Sequence, residues 1–295
     1  MVGIGQGIAR STDGGATFKI IQSSLSTSLR SVSFSGQAGF ACAPGNFMRS
    51  PILMQSADGG AHWQNLTRPN PSLNPWAVYA ADATHAWVGG VGTGSLFVTS
   101  DSGVTWSEKS LPPSPDQFNE TVTGIHVIDS SHASVTTDHN RVLYTDKGGD
   151  IWQIAYAPTG SIFSLYDIDF GSASLGIAAG LGDVILRTTN GGTSWSEVYR
   201  VSNYTGQVIN NVAFVDTNRV YAPASDAFLR SDNGGANFAP VPKPIDMFRT
   251  SSIAFRSIVG VAAGSRVVDA QGNTEQAIAH TNNRGDAWLR SKFVN

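Results

Sequence analysis

One eight-residue pattern, Ser/Thr-x-Asp-x-Gly-x-x-Trp, recurs seven times along the 295 residues and constrains the fold more than any other feature. We call each copy a box. The glycines at the fifth position follow one another at spacings of 45, 43, 46, 43, 43 and 50 residues. A repeat of this length with strand patterns and no helical pattern is typical of a β-propeller, in which each repeat forms one blade. The boxes span residues 11–18, 56–63, 99–106, 145–152, 188–195, 231–238 and 281–288.

The fifth repeat shows the strand pattern most clearly. Short apolar segments at 165–170, 175–180, 184–188 and 194–198 are separated by turn residues. We name the strands of a repeat a, b, c and d in chain order, so that the box lies between c and d. Ser, Thr and Asp side chains bond the backbone of such turns, and glycine accepts a positive φ. The sequence predicts an all-β, seven-bladed β-propeller of four-stranded antiparallel blades, with a box in each c–d turn.

The regular spacing also predicts a single domain, residues 1–295. The first blade, residues 1–21, lacks its innermost strand, because its pattern begins with the end of a b strand. Only seven residues follow Trp288, too few to supply that strand in full. Either the chain begins inside its first blade, or this blade has three strands and residues 292–294 add a stub. The other blades are predicted at 29–66, 75–110, 122–156, 163–199, 209–241 and 250–295.

The third position of the box varies in a way that favours a structural role. It holds an acid in the first three boxes, Lys147 in the fourth, and Asn in the last three. A catalytic carboxylate does not tolerate such exchange, whereas a side chain that caps a turn does. The eighth position is always Trp or Phe, which indicates packing. The predicted structural residues of the third position are Asp13, Asp58, Asp101, Asn190, Asn233 and Asn283.

A ligand surface is expected at the other end of the blades. There the d–a and b–c connections lie, and several are rich in Pro, Asn and Ser. Function is often carried by such loops on a rigid scaffold. The candidate binding residues are Arg30, Phe47, Arg49, Trp76, Tyr166, Arg249 and Arg266.

Composition removes several classes of function. A net charge of −3 and a pI near 6.0 give no basic field for nucleic acid. Cys42 is the only cysteine, so neither an intramolecular disulfide nor a cysteine zinc site is expected. The chain has no apolar run that would span a membrane and no cofactor or metal motif, so we predict no cofactor and no metal. For a glycosidase, the best acid–base pair is Asp167 and Asp169 on one strand.

The boxes resemble the BNR or Asp-box repeats of β-propellers, and most closely those of the photosystem II stability and assembly factor family. The resemblance is carried by Gly-Ile-Ala-Ala-Gly at 176–180 and Ile-Leu-Arg-Thr-Thr-Asn-Gly-Gly-Thr-Ser-Trp at 185–195. Arg10 and Arg230 repeat the arginine before the box, whereas Gln55, Val98, Tyr144 and His280 replace it elsewhere. The resemblance implies a non-catalytic propeller that binds another protein, with arginines among the contacts, and an extracytoplasmic location.

Two other functions remain open at this point. One is a carbohydrate-binding propeller, or lectin, and the other is an Asp-box glycoside hydrolase. The sialidase form of the hydrolase is disfavoured, because the chain contains no Arg-Ile-Pro motif. A protein partner is therefore the leading expectation and a glycan the second.

Overall fold

The computed structural model describes residues 2–4, 7–22, 25, 27–92, 95–114, 120–158, 164–200, 208–225, 227–245, 247–269 and 271–294. These residues form seven four-stranded β-sheets, and they contain no helix. The predicted fold class, a seven-bladed β-propeller, is confirmed. The chain divides into two compact units. The first unit is residues 1–10 and 20–164, and the second is 11–19 and 165–295. The prediction of a single domain stays a prediction.

The first unit contains three complete blades, each an antiparallel meander. Short strands from the first blade precede them. In chain order the strands are β1 (Val2–Ile4), β2 (Gly7–Arg10), β3 (Thr17–Gln22, shared with the second unit), β4 (Ser31–Ser35), β5 (Ala38–Ala43), β6 (Ile52–Ser56), β7 (Gln64–Asn65), β8 (Asn74–Ala80), β9 (Ala86–Val91), β10 (Leu96–Thr99), β11 (Ser107–Glu108), β12 (Val122–Val127), β13 (Ala133–Thr137), β14 (Val142–Thr145) and β15 (Gln153–Tyr156).

The second unit repeats the arrangement with three further blades and ends in one additional strand. Its strands are β16 (Leu165–Phe170), β17 (Gly176–Gly180), β18 (Ile185–Thr188), β19 (Ser196–Tyr199), β20 (Ala213–Phe214), β21 (Val220–Pro223), β22 (Phe228–Ser231), β23 (Ala239–Val241), β24 (Arg249–Arg256), β25 (Val259–Val267), β26 (Thr274–Thr281), β27 (Leu289–Arg290) and β28 (Lys292–Val294).

The first blade has three strands, β1 to β3, as one of the two alternatives predicted. The stub at 292–294 also forms, as β28, and it is the fourth strand of the same sheet. It lies on the outer edge, where it pairs with β3 in a parallel register that places Phe293 opposite Phe18. The carboxyl-terminal residues therefore extend the outside of the first blade and do not fill the position of its inner strand.

Burial follows the order of strands within a blade. The b strands β5, β13 and β17 are buried at every position, whereas the d strands β7, β11 and β27 are exposed. A middle strand is flanked on both sides and covered on both faces, so that near-continuous apolar sequence is favoured there. Cys42 lies in β5, and burial raises the pKa of its thiol to about 12.

The box turns share one set of hydrogen bonds. In all seven boxes the hydroxyl of the first residue accepts the N–H of the glycine at the fifth position, at 2.8 to 3.1 Å. Each of these glycines has a positive φ, from 76° to 92°. A hydroxyl side chain and a residue without Cβ are therefore both required by the same turn.

The third residue supplies the second bond of the turn. Its side-chain oxygen accepts the N–H of the seventh residue in six boxes, for example Asp101 from Thr105 at 2.8 Å and Asn190 from Ser194 at 3.1 Å. Carboxylate and amide both present an oxygen at this place, which explains why Asp in the first three boxes is replaced by Asn in the last three. Hydrogen bonds from Thr105 lower the pKa of Asp101 to about 2.

The aromatic residue at the end of a box packs edge-on against another ring. Trp152 meets Trp87 of the preceding blade at 6.2 Å and 83°, and Trp195 meets Phe170 of its own blade at 5.8 Å and 86°. Edge-to-face pairs of this kind contribute about 1 kcal/mol beyond the area they bury. The box thus connects the turn to the apolar core.

We expect the first-position hydroxyl to be necessary in each box. Thr188 is 2% exposed and accepts from Gly192. Thr188→Val retains the shape but leaves a buried N–H without an acceptor, which should lower the free energy of unfolding by about 1–3 kcal/mol. Thr188→Ser retains the hydroxyl that Ser56 and Ser231 supply elsewhere, and should cost less than half as much. Chemical denaturation of both variants checks this, and equal losses would contradict it.

Candidate functional site

Four of the seven candidate binding residues lie in the first unit. Phe47 and Arg49 belong to the b–c hairpin between β5 and β6, where Asn46 and Arg49 exchange backbone hydrogen bonds of 2.9 and 3.1 Å. This short loop leaves Phe47 and Met48 at its tip, with 111% and 95% exposure. Exposed large apolar side chains without a core to join are typical of interaction sites.

The hairpin is tied to the neighbouring blade. The side-chain oxygen of Asn74, at the start of β8, accepts the N–H of Gly45 at 2.6 Å, and its amide nitrogen donates to the carbonyl of Gly45 at 3.3 Å. Both bonds hold the base of the loop while the tip stays exposed. The apolar tip is therefore presented on a fixed support.

The other two residues form a cation–aromatic pair. The guanidinium carbon of Arg30, which precedes β4, lies 5.1 Å from the ring centroid of Trp76 in β8. Both side chains are half-buried. Within the described residues the guanidinium of Arg30 makes no hydrogen bond or ion pair, and the buried Nε1 of Trp76 has no acceptor. The guanidinium of Arg30 is thus left for an external acceptor, whereas the indole N–H is enclosed by the protein.

The sequence on either side of this pair contains few acids. Asp58 is the only carboxylate between Asp13 and Asp82, and it lies in a box at the other end of the blade. Arg68 in the d–a loop donates to the carbonyls of Pro71 and Leu73, at 2.6 and 2.7 Å, and no carboxylate of the described residues pairs with it. We call Arg30, Phe47, Arg49, Arg68 and Trp76 the loop site. Its field favours a ligand with a carboxylate.

The remaining three candidates lie in the second unit and are not equivalent to each other. Tyr166 is half-buried on β16. Arg249 lies 5.7 Å from the ring of the exposed Phe248. Arg266 donates to Glu275 across the β25–β26 hairpin at 2.6 Å, which neutralises its charge.

Asp167 and Asp169 act as acceptors for the next inner strand. Asp167 accepts the N–H of Val212 at 2.9 Å and the side-chain amide of Asn211 at 2.6 Å, and Asp169 accepts the N–H of Phe214 at 2.8 Å. Burial raises the pKa of Asp167 to about 6. These contacts connect two blades, and the acid–base role suggested for a hydrolase stays a prediction.

Sequence reasoning missed that this contact recurs. In the first unit Ser31 and Ser33 of β4 accept the N–H groups of Val78 and Ala80 in β8, at 3.2 and 3.0 Å. In the second unit Asn211 accepts the N–H of Ile253 at 2.7 Å. The acceptors at 31, 33, 167, 169 and 211 are polar residues of the a strands. Their repetition on one side of each a strand was the available signal.

The arginines before the boxes are also occupied. Arg10 donates to the carbonyl of Gly59 at 2.9 Å, and Arg187 donates to that of Gly234 at 2.8 Å, each in the box of the following blade. Arg230 donates to Asp232 at 2.8 Å. Because these guanidinium groups connect blades or pair with acids, they are poor candidates for partner contacts.

Metal ligands and membrane-spanning helices are two further features that bear on function, and both concern the described part of the chain. No three His, Cys, Asp or Glu side chains come together there as a metal site requires. The same residues include no helix with the length and apolar character needed to cross a bilayer.

Comparisons with known proteins show the fold. No protein-family model matches the chain, and no curated protein does. A solved structure described as YCF48 bound to D1 peptide is similar, with 17% identity, a TM-score of 0.64, and coverage of 97% of this chain and 85% of that one. A GH74 enzyme of Niastella koreensis gives 12% identity and a TM-score of 0.66 over 99% of this chain and 54% of its own. A streptogramin B lyase has 13% identity and a TM-score of 0.61, with coverage of 86% of this chain and 90% of its own. At these identities the likeness is to the β-propeller fold.

Asp167 should make stability depend on pH. Folding raises its pKa from 3.8 to about 6, so the folded state holds the proton more tightly than the unfolded chain. Its contribution is complete below about pH 4 and is lost as pH rises through about 6, by up to about 3 kcal/mol. Relative to the wild type, Asp167→Asn should therefore gain stability between those two pH values.

The matched control is Asp101→Asn, which changes a box acid to the residue found in the last three boxes. The pKa of Asp101 is lowered, so this variant should show no such gain between about pH 4 and 6. Urea denaturation of both variants across this range is the measurement. If the free energy of unfolding of Asp167→Asn changes with pH in the same way as that of the wild type, the buried carboxyl does not titrate as described.

Proposed function

We propose that this protein is a non-catalytic β-propeller that binds an extended, carboxylate-bearing segment of a partner protein at the loop site. The observation that carries the proposal is the pair formed by Arg30 and Trp76, which leaves a half-buried guanidinium and a buried indole N–H without partners. An unpaired guanidinium favours a carboxylate, which it binds through charge-assisted hydrogen bonds.

The surroundings of the pair fit a peptide. Phe47 and Met48 offer apolar side chains on the adjoining hairpin, and the loop site contains no acid that would repel a carboxylate. Aromatic and arginine side chains are the residues most often found at the centre of protein-binding hot spots, and here the half-buried pair adjoins exposed apolar contacts. The peptide named with the similar YCF48 structure agrees with a partner of this class.

A lectin and a glycoside hydrolase remain the two alternative predictions. A lectin or a glycoside hydrolase would use the same fold, and fold alone does not decide function. The extracytoplasmic location implied by the family resemblance is likewise a proposal, and it rests on that resemblance only.

The test is binding of labelled protein to an array of peptides with free and with amidated carboxylates, beside a glycan array. We expect a set of acidic peptides to bind the wild type. Arg30→Ala should weaken that binding by about tenfold or more, since a charge-assisted hydrogen bond is lost. Trp76→Phe replaces the indole beside the guanidinium of Arg30 with a smaller ring, and Phe47→Ala removes the exposed tip; each should also weaken binding.

The control is Arg256→Ala, which removes an equal charge from an exposed arginine at the end of β24 in the second unit. It should bind like the wild type. Unchanged peptide affinity in both Arg30→Ala and Phe47→Ala would reject the loop site. Binding to the glycan array and to no peptide would also reject it.

A further inference from the structure

A cavity of about 370 Å³ in the second unit combines apolar walls with unpaired donors. Pro242, Ile245 and Ala287 supply apolar surface, and Arg230, Lys243, Asp286 and Trp288 supply the polar groups. All of these residues lie in the last two blades and the connection between them. A cavity of this volume is within the range that small ligands occupy.

The charges on one side of the cavity compensate each other. Asp286 accepts from Arg219 at 2.6 Å, and Asp232 accepts from both Arg219 and Arg230, at 2.7 and 2.8 Å. Two arginines and two aspartates therefore form a neutral network. They leave no net charge for a ligand to neutralise.

Among the described residues that line the cavity, Lys243 carries a charge that this network does not neutralise. Its ammonium donates one hydrogen bond, to the carbonyl of Phe248 at 2.7 Å, and it lies 5.9 Å from the ring of that residue. No carboxylate pairs with it within the described residues. An ammonium has three donors, so this half-buried cation retains two for a ligand.

Trp288 also lines the cavity, so its indole reports on a bound ligand. Its Nε1 is buried and has no acceptor. The equivalent atoms of Trp152 and Trp195 donate to the carbonyls of their own boxes, Gly149 and Gly192, at 2.9 and 3.1 Å. Trp63 and Trp106 also lack an acceptor, but neither lines this cavity.

We propose that this cavity binds a small carboxylate with an apolar body, whose oxygens take the free donors of Lys243 while the body contacts Pro242, Ile245 and Trp288. One negative charge matches the charge of Lys243, which has no carboxylate partner among the described residues. The site is separate from the loop site, and it stands whether or not the chain binds a protein partner. An acidic side chain of a peptide carries the same chemistry as a free carboxylate.

Phenylacetate and its neutral amide, phenylacetamide, are the probes. The seven tryptophans each give one indole resonance in an ¹⁵N–¹H spectrum, and Trp288→Phe assigns the resonance of interest by its loss. Phe18 and Phe238 hold the same box position, so this variant is compatible with the fold. Trp106→Phe identifies a buried, unpaired indole remote in sequence that serves as the internal reference.

Titration of phenylacetate should shift the Trp288 resonance to saturation and leave that of Trp106 in place. Phenylacetamide should bind about fivefold more weakly, since it cannot neutralise the ammonium. Lys243→Met should lower phenylacetate affinity by a similar factor, whereas Lys147→Met, an exposed lysine in the fourth box, should not. An acetylated Asp-Phe dipeptide amide that competes for the site would indicate a peptide as the source of the carboxylate.

The proposal is overturned by a Trp288 resonance that does not respond to phenylacetate. Equal affinity for acid and amide also overturns it, and this comparison uses the unaltered chain, so it does not depend on the folding of any variant. Equal losses in Lys243→Met and Lys147→Met would assign the effect to net charge and would likewise reject the site.

Discussion

The hydrogen bond from the glycine N–H to the first hydroxyl of the box is the interaction on which the rest of the structure depends. It closes the c–d turn in each of the seven repeats, at nearly the same length each time. Its geometry requires a positive φ at the glycine and places the following aromatic residue against the core. Since the turn sets where strand d begins, it also fixes the register of the outer half of each blade.

A second set of bonds joins neighbouring blades. Polar side chains of one inner strand accept the N–H groups of the next, as Ser33 does from Ala80 and Asp169 from Phe214. Arginines before the boxes also join neighbouring blades, at the end where the boxes lie. Arg187, for example, donates to the carbonyl of Gly234. With so many polar groups already paired, the few that remain unpaired become informative. Arg30 and Trp76 in the first unit, and Lys243 and Trp288 in the second, are such groups.

The fold could be predicted from sequence because its determinants are local. Box residues and alternating strands lie within a few positions of each other, so that the strands of the fifth blade were predicted almost to the residue. The outer position of Lys292–Val294 could not be predicted, because three residues carry no pattern that selects an edge far away in sequence. The single-domain prediction is not decided by these observations.

The candidate site was predicted less completely, for a related reason. Arg30, Phe47 and Trp76 were chosen as loop residues, but the stacking of Arg30 on Trp76 depends on the packing of two blades. Arg266 was chosen on the same grounds, and its pairing with Glu275 depends on the length of a hairpin. Asp167 was a catalytic candidate because the sequence shows its carboxylate. The sequence does not show that this carboxylate accepts the N–H of Val212 in the next blade.

Native-state hydrogen exchange at the seven box glycines measures the central interaction directly. The account predicts that the N–H groups of Gly15, Gly60, Gly103, Gly149, Gly192, Gly235 and Gly285 are all protected, because each is bonded to a hydroxyl inside the turn. The reference is the exchange rate of the same amides in the chain unfolded by urea, which should be much faster. Exchange of the glycine amides at the rate of an unfolded chain would show that the turns are not held by this bond.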